Sequence, residues 1–237
     1  MYLYEKRSRH NYNQKGNIEE QIINMKLFSI ISVSLITVYL TVRYIGLLAK
    51  KRIQPALAMW IMFSTAVGMS LITYLSSGNF SFSDNILNSV DLIYVITISV
   101  AILILGDKSS KINRFDAGCL IVVFLIVFFW IFTKNHIVTN FLVQSILVIA
   151  YFPVVKRLLE TRQNTEPFII WIGMLIAPFL SLLSSKGMLA TVYSVRAIFC
   201  VGLLLLLMLW VEITGNKRKS QSFPNQEVKG KYKSVKL

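Results

Sequence analysis

The chain has 237 residues, of which 55% are apolar and only 15% are charged, and its mean hydropathy is +0.61. This composition excludes a soluble enzyme, a nucleic-acid-binding module and a disordered tail protein. The formal net charge of +14 comes from 25 Lys and Arg against 11 Asp and Glu. Most of these charges lie in short runs beside apolar stretches of about 20 residues, the length that crosses a bilayer. They therefore indicate contact with anionic lipid headgroups rather than with nucleic acid.

Seven apolar segments predict an all-α membrane protein with seven transmembrane helices. Each segment must be helical, because an unpaired backbone N–H or C=O is costly in lipid and a helix pairs these groups internally. The approximate bounds of the segments are Leu27–Leu48, Pro55–Leu75, Asn85–Leu105, Phe115–Phe132, Val138–Val155, Pro167–Leu183 and Ala190–Ile213.

An internal repeat relates the first three segments to the last three. Residues of the second and sixth segments match at a constant offset of 111, and residues of the third and seventh match at an offset of 105. Pro55 and Pro167 precede the two halves of the first match, each where a helix begins. The matches are Trp60-Ile61, Ala66, Ser70 and Leu71 with Trp171-Ile172, Ala177, Ser181 and Leu182, and Ser89-Val90-Asp91 with Ser194-Val195-Arg196.

The repeat predicts two three-helix units joined by a linker helix. Because equivalent helices are four apart, both units have the same orientation, as in parallel repeats related by an axis along the membrane normal. The predicted organisation is an N-terminal polar tail (1–26), a first unit (27–106), a linker helix (107–136), a second unit (137–214) and a basic cytoplasmic tail (215–237).

The distribution of Lys and Arg predicts the orientation. The connections after the first, third and fifth segments and the C-terminal tail carry 16 Lys and Arg, whereas the opposite connections carry only Lys134 and Lys186. By the positive-inside rule, the C-terminus is cytoplasmic and the N-terminus lies outside. Five basic residues in the tail 1–26 oppose its export. One explanation is that translation starts at Met25, directly before the first segment.

Two groups of residues carry a resemblance to a known family. The fifth segment ends in Tyr151-Phe152-Pro153, and a basic loop then leads to Glu166-Pro167-Phe168. This stretch and the 3+1+3 layout resemble the PQ-loop and SWEET group of small-solute transporters. Arg114-Phe115-Asp116, Trp130 and Pro153 more closely resemble a set of bacterial seven-helix membrane proteins without an assigned function. The resemblance implies a multi-pass protein of the bacterial inner membrane that transports an unknown small solute.

Departures from the family pattern keep an alternative open. The Pro that the group places in its first helix is absent near Thr41 and Val42. The third helices carry no Asn near Tyr94 or Phe199, where SWEET proteins bind sugar. Sugar transport is therefore not favoured. The alternative is a non-transporting sensor, assembly partner or lipid-interacting protein on the same scaffold.

The residues that support catalysis or metal binding are scarce. His10 and His136 lie in a tail and a connection, and Cys119 and Cys200 show no CxxC spacing. The sequence contains no Walker A motif and no HExxH. It therefore predicts no enzyme activity, no cofactor and no metal. Whether the chain forms a homo-oligomer stays open.

Two charged residues inside the apolar segments are the strongest candidates for a site. Asp91 and Arg196 lie at similar depths in the third and seventh segments, and an ionised group at depth normally faces a partner or a water-filled cavity. The two residues either form a static pair, line a substrate or proton path, or reach separately to the interface. Further candidates on this path are Gln144, Asn88 and Pro178, of which Pro178 is expected to kink its helix.

Four Trp residues lie toward the ends of their segments. Trp60, Trp130, Trp171 and Trp210 are therefore expected to form an aromatic belt at the membrane interfaces. This interpretation needs no function for any of them.

Overall fold

The computed structural model describes residues 2–53, 55, 57–105, 114–162, 164 and 166–222. These residues form helices and turns and no strand, so the described chain is all-α. A 3-10 turn, Phe82–Asn85, precedes the third helix. The helices are α1 (Tyr2–Ala49), α2 (Leu57–Ser76), α3 (Ile86–Leu105), α4 (Arg114–Thr133), α5 (His136–Ile149), α6 (Phe152–Thr161), α7 (Phe168–Ser181) and α8 (Met188–Ser222).

The helices are those of a membrane protein. Four helical stretches of the described chain are long and apolar enough to cross a bilayer, and three further apolar helices are shorter. The outward faces are apolar as well: Val42, Ile104 and Phe199 are each about two-thirds exposed or more. Lipid is the solvent that tolerates such faces. The long stretches are Gly16–Ala49, Phe82–Leu105, His136–Thr161 and Met188–Thr214.

Two helices extend beyond their predicted bounds. The segment predicted to begin at Leu27 continues upstream to Tyr2, so residues 2–26 of the predicted polar tail belong to α1. The last predicted segment likewise continues past Ile213 to Ser222 in α8. Hydropathy identifies only the apolar part of a helix. The helix itself can continue into polar sequence, because a nucleated helix gains one hydrogen bond for each residue it adds.

The predicted span Val138–Val155 lies within the apolar stretch His136–Thr161, but it is not one uninterrupted helix. The chain turns at Ala150 and Tyr151, which separate α5 from α6. Proline has no N–H to donate to the carbonyl four residues earlier, and its ring clashes with that carbonyl. Pro153 therefore cannot continue α5 and lies instead in the first turn of α6.

The helices pack in a crossed pattern. α3 packs against both α1 and α2, and α8 packs against α5, α6 and α7. α1 also packs against α7, and α2 packs against α5. α4 packs on α2 and α5, and α3 and α8 also contact each other.

Candidate functional site

A cavity of about 60 Å³ lies where α3 meets α8. It is large enough for several water molecules. Six helices contribute side chains to it, as does the turn between α5 and α6. The polar and charged residues of the lining are Thr37, Asp91, Tyr94, Tyr151, Tyr193 and Arg196. Much of the remaining wall is apolar, including Leu40, Val67, Leu87, Val95, Leu147 and Met174.

Asp91 and Arg196 both reach this cavity, but they do not pair directly. Within the described chain, no nitrogen of Arg196 lies within 4.0 Å of an Asp91 carboxylate oxygen. Tyr193 links them instead: its hydroxyl donates to Asp91 Oδ2 at 2.9 Å, and Arg196 Cζ lies 4.8 Å from the centroid of its ring. Of the predicted alternatives, the direct static pair is therefore not formed. The two residues are linked through a phenol, because position along two helices does not fix which residue lies between them.

Gln144 forms a hydrogen bond with the Arg196 side chain. Arg196 Nε donates to Gln144 Oε1 at 2.8 Å. The Gln144 amide nitrogen donates in turn to Ser70 Oγ at 2.9 Å and to Asn140 Oδ1 at 3.1 Å. Gln144 and Asn140 are four residues apart on α5, so they share one helix face. This face binds α2 through polar contacts.

Asn88 extends these contacts to α3. With its amide oxygen toward Ser70, Asn88 accepts a hydrogen bond from Ser70 Oγ at 2.9 Å, and its nitrogen donates to the Val67 carbonyl at 3.1 Å. Ser70 can then accept from Gln144 and donate to Asn88. A continuous chain of donors and acceptors therefore runs from Arg196 through Gln144 and Ser70 to Asn88.

On one side of the cavity, past Asp91, polar contacts join the helices. We call the residues that make these contacts the polar end: Lys26, Tyr74, Asp84 and Lys186. Lys26 Nζ lies 2.6 Å from Asp84 Oδ1. The Lys186 backbone N–H donates to the Asp84 carbonyl at 2.9 Å, and the Tyr74 hydroxyl donates to the Lys186 carbonyl at 3.0 Å. The connections α2–α3 and α7–α8 are thereby bound to each other and to α1.

Phe80 fills the space between these connections. Its ring stacks on Tyr74 with centroids 4.8 Å apart. Gly187 has φ +82°, and a Cβ there would lie 3.0 Å from Phe80 Cζ. Gly187 is therefore required for both its conformation and its small size.

A group of neighbouring aromatic rings forms the opposite side of the cavity. We call this group the aromatic end. Tyr44 and Trp60 meet edge to face at 5.1 Å, and Trp60 and Tyr94 do so at 5.8 Å. Phe63 and Tyr151 pack at 6.0 Å, and Tyr151 and Trp171 at 6.1 Å. The aromatic end comprises Tyr44, Trp60, Phe63, Tyr94, Tyr151 and Trp171.

The expectation that Trp60 belongs to an aromatic belt at the membrane interface is wrong. It is 7% exposed and belongs to the core, whereas Trp210 is 49% exposed, as a belt residue would be. Two buried polar atoms of the aromatic end, Trp60 Nε1 and the Tyr94 hydroxyl, have no hydrogen-bond partner in the described part of the chain. Unpaired buried groups are uncommon and need an explanation.

The structure brings the five predicted path residues to one region. Asp91, Arg196 and Pro178 line the cavity. Gln144 contacts Arg196 directly, and Asn88 is connected to it through Ser70 and Gln144.

The predicted motif residues lie around this region. Trp60 and Trp171 are at the aromatic end. Pro153 starts α6, Pro167 caps α7, and Pro55 lies just before α2.

Sequence reasoning missed four residues of the site: Tyr94, Asn140, Tyr151 and Tyr193. A usable signal existed for three of them. Tyr94 and Tyr193 are three residues from Asp91 and Arg196, and Asn140 is four residues from Gln144, so each shares a helix face with a predicted residue. The position of Tyr151 could not be predicted from the sequence, because it depends on the helix break before Pro153.

The described residues contain no group of three or more His, Cys, Asp and Glu side chains that could hold a metal ion. Of the cysteines, Cys200 is a free thiol that is partly exposed. The chemistry of the region is therefore that of one carboxylate, one guanidinium and several hydroxyls.

No protein-family model, no curated protein and no solved structure matches this chain. Function must therefore be inferred from the cavity and from the residues around it.

Proposed function

We propose that this protein is a seven-helix transporter of small polar solutes, built from two parallel three-helix units joined by α4. The first unit is α1–α3, and the second comprises α5 with α6, α7 and α8. The cavity between α3 and α8 is the proposed solute site. The observation that carries the proposal is that Asp91 and Arg196, one from the third helix of each unit, line this single cavity.

The packing pattern supports two related units. In each unit the third helix contacts both other helices. Between units, the first helix of one packs on the second helix of the other, which is seen twice, in α1 with α7 and in α2 with α5. Such reciprocal contacts are what a two-fold axis along the membrane normal produces.

Two hydrogen bonds between the units support the same relation. The hydroxyls of Ser29 and Ser184 lie 2.8 Å apart and join α1 to the turn after α7. Asn140 Nδ2 donates to Thr73 Oγ1 at 2.9 Å and joins α5 to α2. The offset of 111 that relates Trp60 to Trp171 also relates Ser29 to Asn140 and Thr73 to Ser184. The two bonds are therefore equivalent contacts with the units exchanged.

The lengths of two further helices are compatible with spans beyond the four long stretches. α2 and α4 contain 20 residues each, or about 30 Å at 1.5 Å per residue, close to the thickness of a hydrocarbon core. α7 is shorter, with 14 residues. Its polar continuation, Ser184 and Ser185, is bonded back to Ser181, which limits the exposed polar backbone at this end.

The proposed location is a bacterial cytoplasmic membrane, with the polar end outside and the aromatic end toward the cytoplasm. The imbalance of Lys and Arg between the two sides and the family resemblance support this orientation. A reporter that is active only in the cytoplasm should work after Leu237 and fail after Gly78 or Lys186. Activity after Gly78 would reverse the proposed orientation.

The test of transport is uptake into proteoliposomes. Purified protein should take up at least one member of a panel of amino acids, carboxylates, amines and sugars above protein-free vesicles. Asp91→Asn should reduce that uptake at least tenfold. Thr97→Val is the matched control on α3, because the Thr97 hydroxyl bonds only to its own helix, at the Ile93 carbonyl. It should retain uptake.

The second candidate function is a membrane sensor or assembly protein that binds a solute without moving it. The observation that favours it is the number of bonds that tie the two units together at the polar end. Folded protein that binds a solute but fails to take up any compound of the panel would contradict transport and support this alternative.

A further inference from the structure

Two opposite charges face the cavity with most of their bonding capacity unused. The Asp91 carboxylate accepts one side-chain hydrogen bond, from Tyr193. A carboxylate has about four acceptor positions. Arg196 commits its Nε–H to Gln144, and a guanidinium has five N–H donors. Asp91 is thus fixed by one neutral partner and Arg196 by two, Gln144 and the Tyr151 hydroxyl, and each charged group can still bind a ligand.

Tyr193 keeps the two charges apart. Its hydroxyl holds Asp91 on one side, and its ring faces the Arg196 guanidinium on the other. Tyr193 is itself 1% exposed and belongs to the packed core. The positions of the positive and negative groups are therefore set before any ligand enters, which reduces the cost of binding.

A ligand with a single charge fits this arrangement poorly. An anion would pair with Arg196 and be repelled by Asp91, and a cation would have the reverse problem. A buried charge without a partner is costly in a low-dielectric site. A ligand that carries both charges satisfies both residues at once and enters without net charge.

The size of the cavity limits the ligand. About 60 Å³ holds several water molecules, which favours a small ligand. Much of the wall is apolar, and besides the two charges the lining offers only a few hydroxyls for the many hydroxyls of a sugar. The Tyr94 hydroxyl, which has no partner in the described residues, supplies one polar group beside the charges.

We infer that the cavity binds a small zwitterion, with its ammonium group toward Asp91 and its carboxylate toward Arg196. This inference rests on the proposed function and names the class of solute for that site.

Glycine is the appropriate probe, with acetate and methylamine as analogues that each lack one charged group. Binding is measured by titration calorimetry on the purified full-length protein in detergent. Glycine should bind, and acetate and methylamine should each bind at least tenfold more weakly. Because this comparison uses only the wild-type chain, it does not depend on whether a variant folds.

Two variants locate the site. Asp91→Asn and Arg196→Gln should each weaken glycine binding at least tenfold. Asp91→Asn should also narrow the difference between glycine and acetate, because the repulsion of the anion is gone. Thr97→Val and Thr191→Val are the controls on the same two helices, since both hydroxyls bond only to their own backbone. Both should bind glycine as the wild type does.

Several results would overturn the inference and leave transport intact. One such result is that acetate or methylamine binds as tightly as glycine. Another is that a sugar binds and glycine does not. A third is that Asp91→Asn and Arg196→Gln both bind glycine as tightly as the wild type. Absence of binding and uptake for every compound tested would overturn the proposed function itself.

Discussion

The polar end and the aromatic end hold the same helices together by different physical means. At the polar end, an ion pair and directed hydrogen bonds join Lys26, Asp84, Tyr74 and Lys186. At the aromatic end, rings meet edge to face, and Trp60 Nε1 and the Tyr94 hydroxyl form no hydrogen bond within the described chain. Directed bonds break one at a time as connections move, whereas the rings of Trp60 and Tyr94 can slide or rotate without leaving a new polar group unpaired. Trp171 differs, because its Nε1 donates to Glu166 Oε2 at 3.4 Å.

This difference indicates how each end would open. Opening the polar end requires the connections α2–α3 and α7–α8 to separate and Asp84 to lose its partners. Opening the aromatic end requires side-chain movement around Trp60 and Tyr151 and the loss of the bond from Trp171 to Glu166. The polar network between the two ends, with Gln144 at its centre, should therefore be sensitive to single substitutions, and the aromatic end should tolerate the loss of polar atoms.

The largest effect is expected at Gln144. Gln144→Leu removes the acceptor for Arg196 Nε and the donor to Ser70 and Asn140. It leaves a half-buried cation without this partner and the buried Ser70 and Asn140 without this donor, so unfolding should become easier by about 3 kcal/mol. SDS titration in mixed micelles measures this free energy.

The control for that variant is its neighbour on α5. Ser145 is exposed and bonds only to the Phe141 carbonyl of its own helix, so Ser145→Ala should change the free energy by less than about 0.5 kcal/mol. Equal effects of the two variants would show that the network adds nothing to stability.

A pair of identical chemical changes compares hydroxyl groups across the cavity. Tyr193→Phe removes the donor to Asp91 and should destabilise the protein by about 2 kcal/mol, as expected for a hydrogen bond to a charged group. Tyr94→Phe removes a hydroxyl that has no partner in the described chain, so it should be neutral or slightly stabilising. Thermal unfolding in detergent distinguishes them. A larger loss for Tyr94→Phe would contradict the comparison.

Modest effects of opposite sign are expected from two glycines at opposite ends. Gly187→Ala forces a side chain into a left-handed conformation and against Phe80, which should cost about 1–2 kcal/mol. Gly46→Ala, near the end of α1, meets nothing within 4 Å and should stabilise the helix by about 0.5–1 kcal/mol. The stability changes of both variants are measured as shifts in the midpoint of thermal unfolding. A stabilising Gly187→Ala would show that the polar end is not tightly packed.

The sequence predicted the helical membrane class, because this follows from hydropathy, and it selected Asp91 and Arg196, because they are charged residues within apolar segments. It could not place Tyr193 between them, since that depends on how α3 and α8 rotate against each other. The burial of Trp60 was missed for a similar reason: a position near the end of a span does not say whether a ring faces lipid or another helix. The seven-span topology, the repeat and the family resemblance stay predictions.

The central claim is that the cavity exchanges a solute with both sides of the membrane, and accessibility of the cavity tests it most directly. Ala197 lines the cavity, so Ala197→Cys is introduced into a chain in which Cys119 and Cys200 are replaced by Ala. In sealed vesicles of known orientation, a water-soluble, membrane-impermeant thiol reagent should reach the introduced thiol from either side, and glycine should slow the reaction. Val100→Cys, on the exposed face of α3, should stay unlabelled in lipid. Folded protein in which the cavity thiol is reached from one side only, or from neither, would contradict the claim.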